Sequence, residues 1–524
     1  MTNNANRQIA RAAGTVMIAF VLSNLIGLVR QILVSQTFGT NQSLDAFYAA
    51  ATFPDLLFSL LAGGALASAF VPTFTGFLAK ENRNEAWRLA SSVTNLVVLI
   101  LSLVSGLAAL FAPALVRHIL FVLKPELDPG LQSMTVNLLR IILIAPTIFG
   151  VSGLLMSILN THQKFWLPAL APVFNWIGWI IGIIFLVPRM GIYGLAWGYV
   201  IGSILHLVIQ LPALLRLDGW HYIPTLGLNN PAIREVARLM GPRVLGVAVV
   251  QINFVINAMI ASGQSEGSLS AINIARMVMT MPLFVIAQSI AIAALPTFAM
   301  QVSRGELSEM RSSLAATLRG IFLLSIPSTL GLILLREPII AILFQRGAFD
   351  AKSTEMVSWA LLWYTAGLVG HSVVEILSRA FYALHDTKTP VIVGTIAMGL
   401  NALFSFAFAR LFQQIGWMPH GGLALANSFA TALEATVLFI VMRKRLNGIE
   451  GNQILHGVFP SLLAALGMSL SLFGWLSLGK EMSLWLLVPF GVAIGGAVYL
   501  IVLWVLGVPE LRYITDTVIR RLKR

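Results

Sequence analysis

FVPTF, residues Phe70–Phe74, closes a long apolar run and returns 224 residues later as ALPTF, Ala294–Phe298. Each copy follows a string of small residues, GGALASA in the first and AIAA in the second. The echoes continue in order. FAPALVRHILF at Phe111–Phe121 is answered by REPIIAILF at Arg336–Phe344. LNTHQKFWLP at Leu159–Pro168 is answered by YALHDTKTP at Tyr382–Pro390. Three echoes in one order at a near-constant offset mark an internal duplication, the pattern on which many transporters are built.

The repeated unit is membrane-spanning. Of 524 residues, 57% are hydrophobic and only 10% charged, with a mean hydropathy of +0.85. Many windows reach about 20 apolar residues, the helical length that crosses a bilayer core of roughly 30 Å. In hydrocarbon every backbone N–H must be satisfied within its own element, so these windows predict helices. The fold class is therefore an all-α polytopic membrane protein of about fourteen transmembrane helices. Six spans per repeat return the chain to the same side of the membrane. The two lobes then share an orientation and are related by an axis along the membrane normal. The expected division is 1–220 for spans 1–6, 221–446 for spans 7–12, and 447–524 for spans 13–14 with a basic tail.

The formal net charge of +13 could suggest nucleic acid. Its distribution argues otherwise. With the N-terminus inside, about 20 Lys and Arg fall in the inner segments and about 7 in the outer ones, the bias of a membrane protein with both termini in the cytoplasm. The tail VIRRLKR suits anionic headgroups. MTNNANRQIARAAG leads directly into the first helix, with no cleavage-site pattern of a signal peptide. Cysteine is absent, which excludes disulfides, thiolate nucleophiles and thiolate metal sites. No Walker A sequence and no HExxH occurs, so neither an enzyme nor a cofactor is expected.

Charges inside spans are the informative residues, because an ionised side chain at mid-membrane costs a few kcal/mol. Arg30 lies well inside the first span, and Asp45 and Asp55 follow in the second. Two readings stand side by side. Arg30 pairs with one of these carboxylates and ties spans 1 and 2 together, or it lines a water-filled cavity and presents its planar fork to an anion. Arg276 lies early in span 8, the repeat counterpart of span 2, so Arg30 and Arg276 come from opposite lobes on elements expected to flank the central cavity. Glu375, with His371 and Arg379 at i, i+4 spacing, reads as an intrahelical network. Arg140, Arg410 and Glu434 read as snorkelling or paired residues. The neutral side chains Asn24, Asn257, Asn401 and Asn427 join them within the spans.

GLVRQILVSQTFGTNQSLDAFYAAATFPDLL, AFVPTF, LNTHQKFWLPALAPVFN, VVQIN and QRGAFDAKST…LSRAFYALHDTKTPV, in this order between about residues 9 and 446, together resemble the MurJ family. These are flippases of the peptidoglycan precursor lipid II within the MOP exporter superfamily. The resemblance implies two lobes around an alternating-access cavity. Arg30 and Arg276 match two arginines of the family's cationic cavity for the diphosphate-sugar head, and Asp45 matches the acidic residue after the first loop. Ser23, Asn24 and Asp55 join the substrate-binding candidates. Spans 13–14 would form the groove for the polyprenyl tail.

Departures from the family pattern are specific. Asn24 and Phe58 stand where many members have arginine, and Gly63 where an acidic residue is usual. Some members bind sodium through acidic residues on helices 7 and 11, and the matching positions here are Asn257 and Ser405. Asn257, Asn401, Asn427 and Glu375 are accordingly the candidates for ion binding or coupling.

The expected function is movement of lipid II from the inner to the outer leaflet of the bacterial inner membrane, without covalent chemistry. Alternatives are an exporter of another lipid-linked oligosaccharide, a MATE-like drug exporter, or a non-transporting scaffold for envelope assembly. A cationic drug would favour an acidic cavity, which Arg30 and Arg276 do not provide. The expected partners are the undecaprenyl-diphosphate-linked precursor, membrane lipids and the division or elongation machinery, and not nucleic acid.

Overall fold

A computed structural model describes residues 2–61, 65–124, 126 and 128–509, with side chains described outside 2–16, 61, 65–68, 242, 243 and 245. Gly63 and the basic tail lie outside the described residues. The described chain is helical throughout its regular elements. Among the described residues eleven helices are long and apolar enough to cross a membrane, or thirteen when two sharply bent pairs each count as one span. The predicted second span is covered by two helices, Gln42–Leu61 and Ala65–Ala79, on either side of residues 62–64.

Two compact units make up the chain, Met1–Ser270 and Ala271–Arg524. In the first, the Thr2–Phe38 helix packs on Trp166–Ile181, and Pro231–Ser262 packs on Gln42–Leu61 and Ala65–Ala79. In the second, Leu307–Phe344 packs on the C-terminal helices Gly451–Leu478 and Leu484–Val505, and Lys388–Gln414 packs on His420–Arg445.

The duplication is visible in backbone detail. Glu81 and Gly305 both take a left-handed conformation, at φ 56° and 74°. Around each, the same turn closes: Glu81 N–H donates to Leu78 O and Asn82 N–H to Phe77 O, while Gly305 N–H donates to Val302 O and Glu306 N–H to Gln301 O. Gln163 and His385, at φ 58° and 57°, form a second matched pair of turns. These bonds satisfy helix-end carbonyls that would otherwise lack partners.

The repeated motif anchors each unit. Phe74 and Phe298 are both fully buried. The Phe74 ring stacks on Phe70 at 4.9 Å and meets Trp87 edge-on at 6.0 Å. Between helices in lipid, close packing and not solvent exclusion holds such contacts.

Glycines set the closest approach. Gly178 and Gly182 face Gly194, Gly198 and Gly202 on the Ile192–Val208 helix. A Cβ on Gly178 would lie 2.3 Å from the Gly202 backbone, and one on Gly182 would lie 2.4 Å from Gly198 Cα. Small residues at four-residue spacing let two membrane helices touch through their backbones. In the second unit, Ala351–Thr365 and Leu368–Ala383 meet at a 45° bend. There the Ser428 hydroxyl donates to the carbonyls of Trp363 and Tyr364, at 2.6 and 3.2 Å. The hydroxyl thus serves backbone acceptors at the broken turn.

Candidate functional site

Arg30 is the centre of the site in the first unit. Glycine contact brings the Trp166–Ile181 helix into place, and that helix packs against the one that carries Arg30. Trp176 and Trp179, three residues apart, share a face. The guanidinium carbon of Arg30 lies 4.6 Å from the Trp176 ring centre and 4.7 Å from that of Trp179. Gly27, three residues before Arg30, leaves room for this, since a Cβ there would meet Trp176 Nε1 at 3.3 Å. Trp176 Nε1 donates to the buried Ser23 hydroxyl at 3.2 Å.

The edge of the guanidinium is used differently from its faces. Nη1 donates to Gln31 Oε1 at 3.1 Å, and Gln31 Nε2 continues to the Tyr48 hydroxyl at 3.2 Å and Ser35 at 3.3 Å. Arg30 Nε is buried without a hydrogen-bond partner among the described residues. The two indole ring centres lie 6.1 Å apart with their planes at 64°, so the rings flank the cation from adjacent sides and do not sandwich it. Nε is thus a buried donor that no described protein group satisfies.

The two carboxylates take separate roles. Asp55 accepts the Tyr199 hydroxyl at 2.6 Å, and the Tyr199 ring lies 5.2 Å from Trp179. Asp55 therefore joins the aromatic cluster through tyrosine and attracts Arg30 through space. Asp45 instead accepts the backbone N–H groups of Gly267 at 2.7 Å and Ser270 at 2.8 Å, and the Ser270 hydroxyl at 2.6 Å. It caps the start of the Ser268–Leu283 helix, whose later turns carry Arg276.

Other sequence candidates fall as follows. Asn24 is exposed, and its amide donates to the Phe20 carbonyl one turn back at 2.8 Å. Asn257 donates to the carbonyl and the side chain of Asn253, both at 3.0 Å. In the second unit Arg276 donates to Asn273 Oδ1 at 3.2 Å. Glu375 pairs with Arg379 at 3.5 Å and accepts from Gln288 at 3.2 Å. Asn427 Oδ1 lies 3.0 Å from His371 Nε2, and buried Asn401 accepts from Ser405 at 3.2 Å. Among the described residues no cluster of His, Asp and Glu has the arrangement of a metal site.

Sequence reasoning passed over Trp176, Trp179 and Tyr199. A signal was present: tryptophan favours the membrane–water interface, and two of them three residues apart inside an apolar helix are unusual there.

The sequence matches the family described as Lipid II flippase MurJ over residues 34–492. The chain belongs to this family. A MurJ of Burkholderia cenocepacia, described as a lipid II flippase, is 32% identical over 445 residues, covering 83% of this chain and 84% of that one. A solved structure described as lipid II flippase MurJ in an inward closed conformation aligns with a TM-score of 0.78 at 26% identity, covering 97% and 99% of the two chains. An inward-facing multidrug resistance transporter of the MATE family, in the MOP superfamily, aligns with a TM-score of 0.69 at 15% identity over 82% of this chain and 98% of that one. This last likeness concerns the fold alone.

One departure from the MurJ pattern has a visible structural consequence. Phe58, where many members are expected to carry arginine, packs its ring 4.9 Å from Phe149. Phe149 in turn meets Tyr199 and His206. A cluster of aromatic rings linked to Tyr199 thus includes the position where many members of the family are expected to carry arginine.

Proposed function

We propose that this chain is a flippase that carries lipid II across the bacterial inner membrane, with both termini in the cytoplasm. Its substrate is amphipathic: a diphosphate-linked polar head must cross hydrocarbon while the polyprenyl tail stays in it. A cation inside the membrane with a donor that the protein itself does not satisfy suits the diphosphate. The observation that carries this reading is Arg30, flanked by Trp176 and Trp179 with Nε lacking a hydrogen-bond partner. Arg276 is the candidate cation of the second unit. Exchange between inward- and outward-open states then exposes the head to the other leaflet, without covalent chemistry.

The test is rescue of a bacterium depleted of its own lipid II flippase. The parent chain restores growth, and Arg30→Ala and Arg276→Ala at matched membrane levels do not. A folded, abundant parent that fails to restore growth overturns the assignment of lipid II and leaves another lipid-linked oligosaccharide as the substrate.

A further inference from the structure

The far end of the Arg83–Leu110 helix carries a feature that the transport site does not use. The helix begins beside the Glu81 turn and crosses to the opposite membrane face. There Phe111 ends it, Ala112–Leu115 starts a new turn, and Val116–Leu120 widens into a π-helical turn. Phe121 N–H closes that turn on Val116 O, and Lys124 N–H then bonds Phe121 O. The chain therefore folds into a tight corner before the Pro129–Ile142 helix. A π-helical turn inserts one extra residue, re-aims the side chains that follow, and is frequent at functional positions.

Arg117, His118, Lys124 and Gln132 line a cleft of about 390 Å³ in this corner, with Phe121 and Val122 beside them. Among the described residues no acidic side chain pairs with Arg117 or Lys124. Asp128 is nearby in sequence, but both of its oxygens cap the next helix, accepting from Gly130 at 3.3 Å and Leu131 at 3.1 Å. Around the cleft the surface is apolar: Leu110, Phe111, Val122 and Leu123 are 68, 57, 50 and 43% exposed. A cleft rich in donors, set among outward-facing apolar side chains at the end of a membrane helix, matches a phosphate head with acyl chains and not a free ion.

We propose that this corner binds the phosphate headgroup of an anionic phospholipid in the leaflet opposite the Glu81 and Gln163 turns. Arg117 and Lys124 hold the phosphate oxygens, Gln132 donates to the headgroup, and Val122 and Leu123 lie against the acyl chains. The site is separate in sequence and in chemistry from the Arg30 cluster and does not depend on which lipid is transported.

The experiment is native mass spectrometry of the full-length chain released from mixed micelles with phosphatidylglycerol. Phosphatidylcholine and inorganic phosphate serve as separate arms. The parent retains one more phosphatidylglycerol than Arg117→Gln/Lys124→Gln, whose affinity at that site falls at least tenfold. Arg117→Lys/Lys124→Arg, which keeps both charges, retains it. Arg30→Ala retains it as well, which separates this site from the transport site. Equal retention by the parent and by a folded Arg117→Gln/Lys124→Gln overturns the proposal. If that double variant does not fold, Lys124→Gln alone decides on the same criterion. Displacement of the lipid by millimolar inorganic phosphate, or equal retention of phosphatidylcholine, overturns the assignment to an anionic lipid.

Discussion

Asp45 accepts both the backbone N–H and the hydroxyl of Ser270, at 2.8 and 2.6 Å. With the further bond from Gly267, one carboxylate serves three donors at the start of a helix. Asp45→Asn turns an acceptor into an amide that faces those donors, which costs about 1–3 kcal/mol for an unsatisfied buried group. Ser270→Ala removes one hydroxyl and leaves the two backbone bonds, for about 1 kcal/mol. Melting in detergent should rank parent above Ser270→Ala above Asp45→Asn. Equal melting of the two variants would refute the capping role.

The two indoles beside Arg30 predict unequal tolerance to substitution. Arg30→Lys keeps the charge but loses the planar fork. It should fold and yet fail in the rescue assay. Trp176→Phe keeps a ring over the cation and should remain active. Trp176→Leu removes a cation–π contact of about 0.5–2 kcal/mol and leaves the Ser23 hydroxyl without its indole donor. It should melt lower and rescue poorly. Full rescue by Trp176→Leu would mean that the indoles do not position Arg30.

Backbone contact between Trp166–Ile181 and Ile192–Val208 leaves no room for a methyl group. Gly178→Ala and Gly182→Ala must push the two helices apart, at about 1–3 kcal/mol each. Trp179 and Tyr199 would separate with them, so intrinsic tryptophan emission should shift. Gly106, in the Arg83–Leu110 helix, has open space where a Cβ would go. Gly106→Ala should be neutral or slightly stabilising, because alanine favours the helix. The two outcomes are compared by thermal melts of the purified variants.

Acid should release the turn before Lys388–Gln414. Asp386 accepts the Thr389 hydroxyl and N–H at 2.8 and 3.1 Å and pairs with Arg445 at 3.3 Å. The hydrogen bonds from Thr389, aided by Arg445, hold its carboxyl below the usual value of 3.8. A carboxyl with a lowered folded-state pKa contributes stability that is complete above the unfolded value and is lost as pH falls through the folded one. The melting difference between parent and Asp386→Asn should stay constant from pH 7 to about 5 and shrink as pH falls below the usual carboxylate range. For a pair this exposed on the arginine side it should be small, about 1 kcal/mol or less. A difference that grows on acidification would contradict the sign.

Fold class and duplication were legible because a bilayer leaves the backbone few choices, and apolar length alone then marks the helices. The break inside the tenth span was not legible, because the 45° bend at Ala366 and Gly367 changes no composition. Arg30 stood out as a charge among aliphatics. Its partners did not, since Trp176 and Trp179 are apolar residues in an apolar helix, and only the packing of Gly178 and Gly182 on the next helix decides which way they face. Asp45 and Asp55 read as alike in sequence, yet one serves helix-end donors and the other a tyrosine.

The matched turns at Gln163 and His385 put the two halves in register, and the helices that follow begin at Trp166 and Lys388. In that register Trp176 corresponds to Met398 and Trp179 to Asn401. The chain thus carries its own natural comparison. One copy of an ancestral helix has been furnished to hold a positive charge, and its twin has a flexible thioether and a buried amide in the same places. After duplication, the scaffold was retained twice and the task was divided.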